Sequence, residues 1–565
     1  MTQSYFLKFV IALAFLMFSN SISRAQELSE TDKLYRLAKV WGFLKYYHPQ
    51  VAKGEVDWDN ELYEIMESQK AVYAKTDYSN LLNSWLLKQG KLKKIKHKDV
   101  KNKENYFDDN YDLTWLSDTT LFAYGLSENL RFIEGNRYKG RKNHYLQFEK
   151  KSSGVRKGLI NEKLYTSDQW QNQSFRMMIL FRYWNIIEYF YPHKYTLEKS
   201  WDFVLQEFIP KFLYCDSEKD FHLLLLELVC QIKDSHAYVS SEVLTKYFGE
   251  YQTPFSTKLI NGKAVVYLIF DDSLAIQDDI RVGDVITKVD GKTISEIYKE
   301  NEKYISSSND SRKDLVFTWG YLGRGVTDEV EIEFARDDLG VEKKVIRRYT
   351  NDEFEKDYWG KQSWSLIDND IAYINLRGLN PDSLDLVMRQ IKDTKALIVD
   401  IRNYPKIPWY SFRKHLEKDE RLFAKFYNPI RSHPGRLVYS ASLKHFPYTE
   451  RGVDKYEGEL IVLVNEESQS FAETMAMYFQ SFDQTTVIGS QTSGADGNVI
   501  GFELFEGAFT CYTFFGMFYP DGKAIQRIGI VPDIEIKPTV KGVQEGKDEV
   551  LDGAVEWFKQ KQSSF

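Results

Sequence analysis

A repeat at a fixed offset of 143 residues constrains this chain more than any other feature. It links Trp41 with Trp184, Pro49 with Pro192, Trp58 with Trp201, Asp77 with Asp220, and Leu81-Leu82 with Leu224-Leu225. The strings V-W-G-F-L-K-Y-Y-H-P and Y-W-N-I-I-E-Y-F-Y-P agree by chemical class at nearly every position. One ungapped register of this length reads as two copies of a single folding unit. Apolar residues recur at three- and four-residue spacing (Leu34, Leu37, Val40, Trp41, Leu44), the mark of an amphipathic helix that should stop just before the proline. The pattern predicts two helical hairpins, over 26–95 and 166–250, on either side of a polar insert at 96–165 rich in Lys, Asn and Asp. A single pair of copies does not build a solenoid, so a packing role is expected.

Composition narrows the class. At 565 residues, with 43% hydrophobic and 28% charged, the chain is long enough for several domains and apolar enough to bury cores. Lys+Arg of 75 against Asp+Glu of 82 leaves −7, and no basic block stands out, which excludes nucleic-acid binding driven by phosphate contacts. Cys215, Cys230 and Cys511 allow at most one disulfide, and no Cys/His spacing suggests zinc. Near the amino terminus, Lys8 precedes the apolar run Phe9–Phe18, polar Ser19-Asn20-Ser21 follow, and small Ser23 and Ala25 close the segment. This is the layout of a secretory signal peptide over 1–25, too short to span a bilayer. The mature protein is expected to begin near Gln26 and to be exported, periplasmic or extracellular, with no integral membrane segment.

From 255 to 349 the pattern turns to short alternating strands. The stretch R-V-G-D-V-I-T-K-V-D-G-K, from Arg281, reads as turn, strand and tight Asp-Gly turn, and it resembles the most recognisable part of PDZ domains. That resemblance implies addition of an extended peptide to a sheet edge, often at a free C-terminus. From 360 to 540 apolar strands (Ala372–Leu376, Ala396–Asp400, Leu460–Val464, Thr486–Ile488) alternate with helices (Asp382–Ile391, Phe471–Phe482), which predicts an α/β domain with a largely parallel sheet. A helix at Lys547–Lys561 closes the chain, within a tail of 541–565.

The chemistry concentrates at L-I-V-L-V-N-E-E-S-Q-S-F-A-E, residues 460–473. A buried strand and short loop deliver Ser470 to a helix start, where N–H groups and the helix dipole face any developing oxyanion. S-F-A-E is equally a capping box, with Ser470 as cap and Glu473 reaching back. A serine nucleophile needs a base.

The order of segments bears on that choice. A PDZ-like module, A-L-I-V-D-I-R-N-Y-P, the strand-loop-Ser-helix, V-I-G-S-Q-T-S-G and D-G-K-A-I-Q-R-I-G-I-V-P-D-I-E-I together resemble the tail-specific, or C-terminal processing, serine peptidases, over about residues 225–540. The resemblance implies a multidomain α+β and α/β protein: helical repeat, PDZ-like β domain and α/β (crotonase-like) peptidase core. It aligns Ser470 with the nucleophile. The Ser–Lys branch keeps its lysine about 25 residues later, where this chain has Ala495. K-D-S-H-A-Y-V instead supplies Ser235-His236 where the tricorn-like branch has its histidine. His236 is thus the implied general base, with Ser235 orienting it. The acid of that branch falls at Gln526-Arg527-Ile528, so orientation passes to Ser235 with Gln526, or to another acid such as Asp234. Oxyanion donors are expected at the amides of Phe471 and Lys406, the latter in a loop where Pro405 is followed by Lys406 rather than glycine. Without an evident carboxylate, the His236 pKa should sit near ~6.5. The implied function is an exported serine endopeptidase acting on peptides or proteins, with no cofactor. The rival is a catalytically impaired peptide- or envelope-binding homologue, and a third reading is hydrolysis of non-peptide esters or amides.

Overall fold

The computed structural model describes residues 27–563 apart from 91–92, 95–104, 141–142, 148–155, 337–339, 351, 354–362 and 449–453. The expected signal peptide and the junction at Gln26 lie outside the described residues.

Each copy of the repeat is three helices rather than a hairpin. The first holds α1 (Glu30–Tyr47), α2 (Trp58–Ser68) and α3 (Lys75–Lys88). After an intervening α4 (Tyr124–Gly135) come α5 (Gln173–Phe190), α6 (Trp201–Leu213) and α7 (Glu218–Cys230), whose starts keep the same 143-residue displacement. The repeated tryptophans explain the register. Trp41 Nε1 donates to the Trp58 carbonyl at 3.1 Å and Trp58 Nε1 to that of Trp41 at 3.2 Å. Trp184 and Trp201 do the same at 2.7 and 2.9 Å. A buried indole N–H needs an acceptor, so each pair closes the first helix onto the second. The copies meet at equivalent positions: a Cβ on Gly42 would fall 1.7 Å from Asn185 Oδ1, and Asn185 Nδ2 donates to the Ala38 carbonyl at 3.1 Å.

The stretch expected as a polar insert departs from that description. Trp115, Leu116 and Phe122 are buried in the helical core, and so are Leu126, Leu130 and Ile133 on one face of α4. The surrounding Lys and Asn dilute this apolar stripe in the composition without removing its period.

The second copy runs on into β1 (Tyr238–Ser240). Next, β2 (Phe255–Ile260), β3 (Lys263–Ile269), β4 (Val285–Val289), β5 (Glu329–Ala335) and β6 (Val341–Arg347) form an antiparallel sheet in the order β6-β5-β4-β3-β2, which leaves β2 at its end. Asp290 and Gly291, at φ 48° and 77°, make the tight turn after β4. Helix α8 (Asp310–Phe317) packs Phe317 beneath this sheet.

The largest sheet has the order β7 (Trp364–Asp368), β8 (Ile371–Asn375), β9 (Ala396–Asp400), β10 (Glu459–Val464), β11 (Thr485–Gly489) and Ile534–Glu535, parallel except at β7. Its strands are apolar on both faces. Leu397, Val399, Leu460 and Val462 pack with α9 (Phe471–Gln480), while Ala396, Ile398, Ile461 and Leu463 pack with α10 (Glu549–Ser563). Continuous apolar strands are what a doubly covered parallel sheet requires.

A further sheet, in the order Arg156–Lys157, β12 (Val499–Phe505), β13 (Ala508–Thr513) and β1, joins the two ends of the chain. Ser240 stands opposite Phe509 and Tyr238 opposite Cys511, while Ile500, Phe502, Phe505 and Tyr512 enter the helical core. The repeat is thereby fused to the α/β unit, and the residues just before β1 are carried to the end of β13. All three cysteines are buried free thiols. Among the described residues, no helix is long and apolar enough to cross a membrane.

Candidate active site

β10 ends at Val464, and six residues later Ser470 opens α9 with φ 58° and ψ −117°. A non-glycine residue at such a φ costs about 1–3 kcal/mol and persists only where its surroundings enforce it. They do so here. The Ser470 N–H donates to the Ala495 carbonyl at 3.0 Å and to Glu473 Oε2 at 3.1 Å, while its carbonyl accepts from Glu473 N–H at 2.8 Å. The Ser468 hydroxyl accepts from Asn465 N–H at 3.1 Å and donates to the Ile401 carbonyl at 2.9 Å, pinning the loop to the strand beside it. Glu473 is fully buried and also accepts from Thr492 Oγ1 at 2.5 Å, Gly494 N–H at 2.8 Å and Ala495 N–H at 3.0 Å. Burial pushes its pKa up to about 7 against the downward pull of these bonds. Ala495, at the position a Ser–Lys site would give to lysine, is buried and serves through its backbone.

His236 is held from the side of Asp234. Its Nδ1 lies 2.8 Å from Thr513 Oγ1, whose hydroxyl donates to Asp234 Oδ1 at 3.0 Å. With that hydroxyl proton committed to the carboxylate, Thr513 has only a lone pair to offer the ring. Nδ1 therefore carries the proton and Nε2 the free pair. Asp234 is fully buried, also accepts from Thr513 N–H at 2.7 Å and His236 N–H at 3.0 Å, and stands 3.8 Å from Nδ1. Burial lowers the His236 pKa below its ordinary value, Asp234 opposes this, and Arg312 adds to it. The expectation of an unperturbed imidazole is corrected accordingly.

Ser235 does not orient the ring. Its hydroxyl donates to the Ser493 carbonyl at 2.9 Å and accepts from Ser308 N–H at 2.8 Å. The two residues form a turn closed by the Ala237 N–H donating to the Asp234 carbonyl at 2.9 Å, and both bonds of this hydroxyl are made to backbone groups rather than to the imidazole. Gln526 is buried and donates to Asp234 Oδ1 at 3.2 Å, not to His236. Lys406 is also corrected as an oxyanion donor: its N–H is spent on the Leu376 carbonyl at 3.0 Å, because the loop after β9 folds back onto the end of β8. The Phe471 N–H, in the first turn of α9, has no protein acceptor among the described residues.

Two residues went unnoticed in the sequence. Thr513 bridges across 277 residues, and no local pattern marks it. Tyr404 sets its half-exposed ring 6.4 Å from that of Phe471, the residue after the serine; burial raises its pKa, and the nearby Ser470 moderates the rise. Asp234 was visible as the residue two before the histidine.

The serine and histidine segments are stitched together by neighbours. Gln469 Nε2 donates to the Ser235 carbonyl at 3.3 Å, and Ser493 N–H donates to the Ser468 carbonyl at 3.0 Å. The β2–β6 unit takes part: Asn309 Nδ2 donates to the Thr492 carbonyl at 2.7 Å. Ser470 and His236 share no hydrogen bond in this structure, a contact that often tightens only with substrate bound.

Residues 413–536, which include Ser470 and Thr513, match the family model for peptidase family S41. A carboxy-terminal-processing protease of Bartonella bacilliformis is 24% identical over 302 residues, an alignment that takes in 50% of this chain and 60% of that protein. The chain thus spans about three-fifths of that relative's length. Mature CPAF complexed with lactacystin superposes with a TM-score of 0.53 at 14% identity, over 69% of this chain and 97% of that one. Mature CPAF in a second crystal structure gives 0.53 and 14%, over 67% and 96%. The CPAF likeness establishes a shared fold. The family match covers residues 413–536, across the strained serine, and with the processing-protease relative it makes this part of the chain similar to the serine peptidases of family S41.

Proposed function

We propose that the protein is an exported serine endopeptidase that cleaves peptides or proteins through an acyl-enzyme on Ser470. His236 Nε2 takes the Ser470 proton as Oγ attacks the scissile carbonyl. The resulting oxyanion is met by the Phe471 N–H and the Tyr404 phenol. The imidazolium then protonates the leaving amine, and water, activated by the same Nε2, hydrolyses the ester. Asp234 acts through Thr513 to hold the tautomer. The observation that carries this reading is the conjunction of a strained serine at a helix start with a histidine whose Nε2 is kept unprotonated and free of protein partners.

The PDZ-like reading of the β2–β6 unit supplies the substrate's path. A cavity of about 380 Å³ lies between β2 and α8, lined by Lys258, Leu259, Asp314, Leu315 and Thr318. An extended peptide would add there as a further strand.

A fluorophosphonate probe tests the chemistry, since it needs an activated serine. Intact mass should show one adduct on the wild-type protein and none on Ser470→Ala, with labelling strongly slowed in His236→Ala. An unlabelled wild type that still binds peptide would favour the second reading, a binding protein without turnover. The committed Lys406 amide and the open Ser470–His236 contact speak for that alternative.

A further inference from the structure

The open edge of β2 is phased by its turn. Asn261 and Gly262, at φ 51° and 76°, join β2 to β3 as a two-residue hairpin, which makes Ile260 and Lys263 its closing hydrogen-bonded pair. Bonded and non-bonded pairs alternate from there, so Leu259, opposite Ala264, turns its N–H and carbonyl away from β3. Val266 fits this phase. Its N–H donates to the Asp284 carbonyl and its carbonyl accepts from Gly283 N–H, both at 2.8 Å, so it is spent on the β4 side and leaves Thr257 opposite it facing outward too. Among the described residues, no backbone group meets the outward N–H and carbonyl of Leu259. Helix α8 faces this edge across the cavity of about 380 Å³.

Two features of the groove select its occupant. A peptide adding antiparallel to β2 brings its carboxy end to the segment that leads into the strand, and capture of a terminal carboxylate there needs a cluster of free N–H groups. That segment has few to give: Gln252 N–H donates to the Tyr349 carbonyl at 2.9 Å, Thr253 N–H to the Gly323 carbonyl at 3.2 Å, and Pro254 has none. The charge of the groove is the second feature. Its cations are spent, Lys258 on Glu466 at 2.7 Å and Lys537 on Glu535 at 2.6 Å. Asp310 and Asp314, one turn apart on α8, line the same cavity and form no ion pair among the described residues. Burial raises the Asp314 pKa; the Tyr298 hydroxyl, donating at 3.3 Å, opposes this, and Asp310 adds to it. A cation in the groove would offset both carboxylates, whereas a terminal carboxylate would meet like charge.

We infer that the β2 groove binds an internal, extended segment of the substrate rather than its chain end, and that this segment presents a basic side chain to Asp310 and Asp314. The inference rests on the peptidase reading for its substrate but is tested by binding, so the two fail separately.

The probe is an uncharged dodecapeptide of Ser, Thr and Val with one central Arg, labelled with fluorescein at its amino end and titrated by anisotropy into full-length Ser470→Ala. The same peptide with Gln or Glu at that place is compared, each as free acid and as amide. Arg should be favoured over Gln by roughly 3- to 10-fold, as two partly exposed carboxylates around one cation would give, and acid and amide should agree within about twofold. Asp310→Asn combined with Asp314→Asn should erase the preference for Arg, with Tm confirming the fold. Leu259→Pro, which removes an outward N–H but no bond of the β2–β3 ladder, should weaken every peptide. A clear preference for free acids, equal binding of Arg and Gln, a preference for Arg that survives the double Asn variant, or no binding of any peptide overturns the inference. Fluorophosphonate labelling of wild-type Ser470 reads the peptidase proposal alone, and its absence beside intact selectivity for Arg counts against catalysis only.

Discussion

Thr513 is the residue on which the proposed base depends, since a hydroxyl stands where a carboxylate would more simply face Nδ1. Thr513→Val should lower kcat/KM by roughly 10²-fold, the lower end of what general-base catalysis contributes, and Thr513→Ser should restore most of it. Tyr404→Phe should cost on the order of 10²-fold in kcat if its phenol serves the oxyanion, with little change in KM. The pH profile follows from the His236 environment. Burial, reinforced by Arg312, lowers the pKa despite Asp234. The ring must be neutral to accept a proton, so the acid limb of kcat/KM should fall below about pH 6.5. A limb centred above 7 in the wild type would show that Asp234 outweighs burial. Ser470, His236 and Asp234 were legible because strand-loop-helix and D-S-H are local patterns. Ser235 and Lys406 misled for a common reason: a sequence does not tell which way a side chain turns or whether an amide is already spent.

At the level of elements, Glu473 does more than begin a helix. It ties the first turn of α9 to the segment 492–495 through Thr492, Gly494 and Ala495. Four donors converge on its two oxygens, and an amide would turn its own N–H groups toward at least one of them. Glu473→Gln should therefore lose about 1–3 kcal/mol of stability, read as a lower Tm, and should slow labelling of Ser470. The sign of the pH effect is also fixed. A carboxyl raised to about 7 in the folded state resists ionising there, so its contribution to stability declines as pH climbs from the unfolded value toward 7. That part of the wild-type slope should vanish in the Gln variant. Elements with a strong period were readable: β9 spans Ala396–Asp400 and α9 begins at Phe471, both as the pattern indicates. The helix α4 was hidden because composition averages over a face that periodicity would have separated.

Across the whole molecule, the β2–β6 unit is not a detachable accessory. It gives Ser308 and Asn309 to the site, and Lys258 on β2 pairs with Glu466 in the nucleophile loop at 2.7 Å, with both side chains largely buried. Burial raises the Glu466 pKa, but Lys258 outweighs it and holds the carboxylate below its ordinary range. Lys258→Met should strand that charge and destabilise the protein by about 3–5 kcal/mol, visible in urea unfolding, whereas the double variant with Glu466→Leu should recover much of the loss. Excising 255–349 would strip supports from His236 as well as any peptide groove, so point variants are the cleaner test. The helical repeat, visible at once as a fixed offset, did not announce its merger with β12 and β13, because β1 has three residues and its partner strand lies some 270 residues away. That merger bears on how the molecule is made. A chain emerging from the ribosome displays its histidine first, its serine much later, and Thr513 later still. A nascent chain that stops short of β13 therefore lacks the residue that links His236 to Asp234, and any power to cut must wait for that strand.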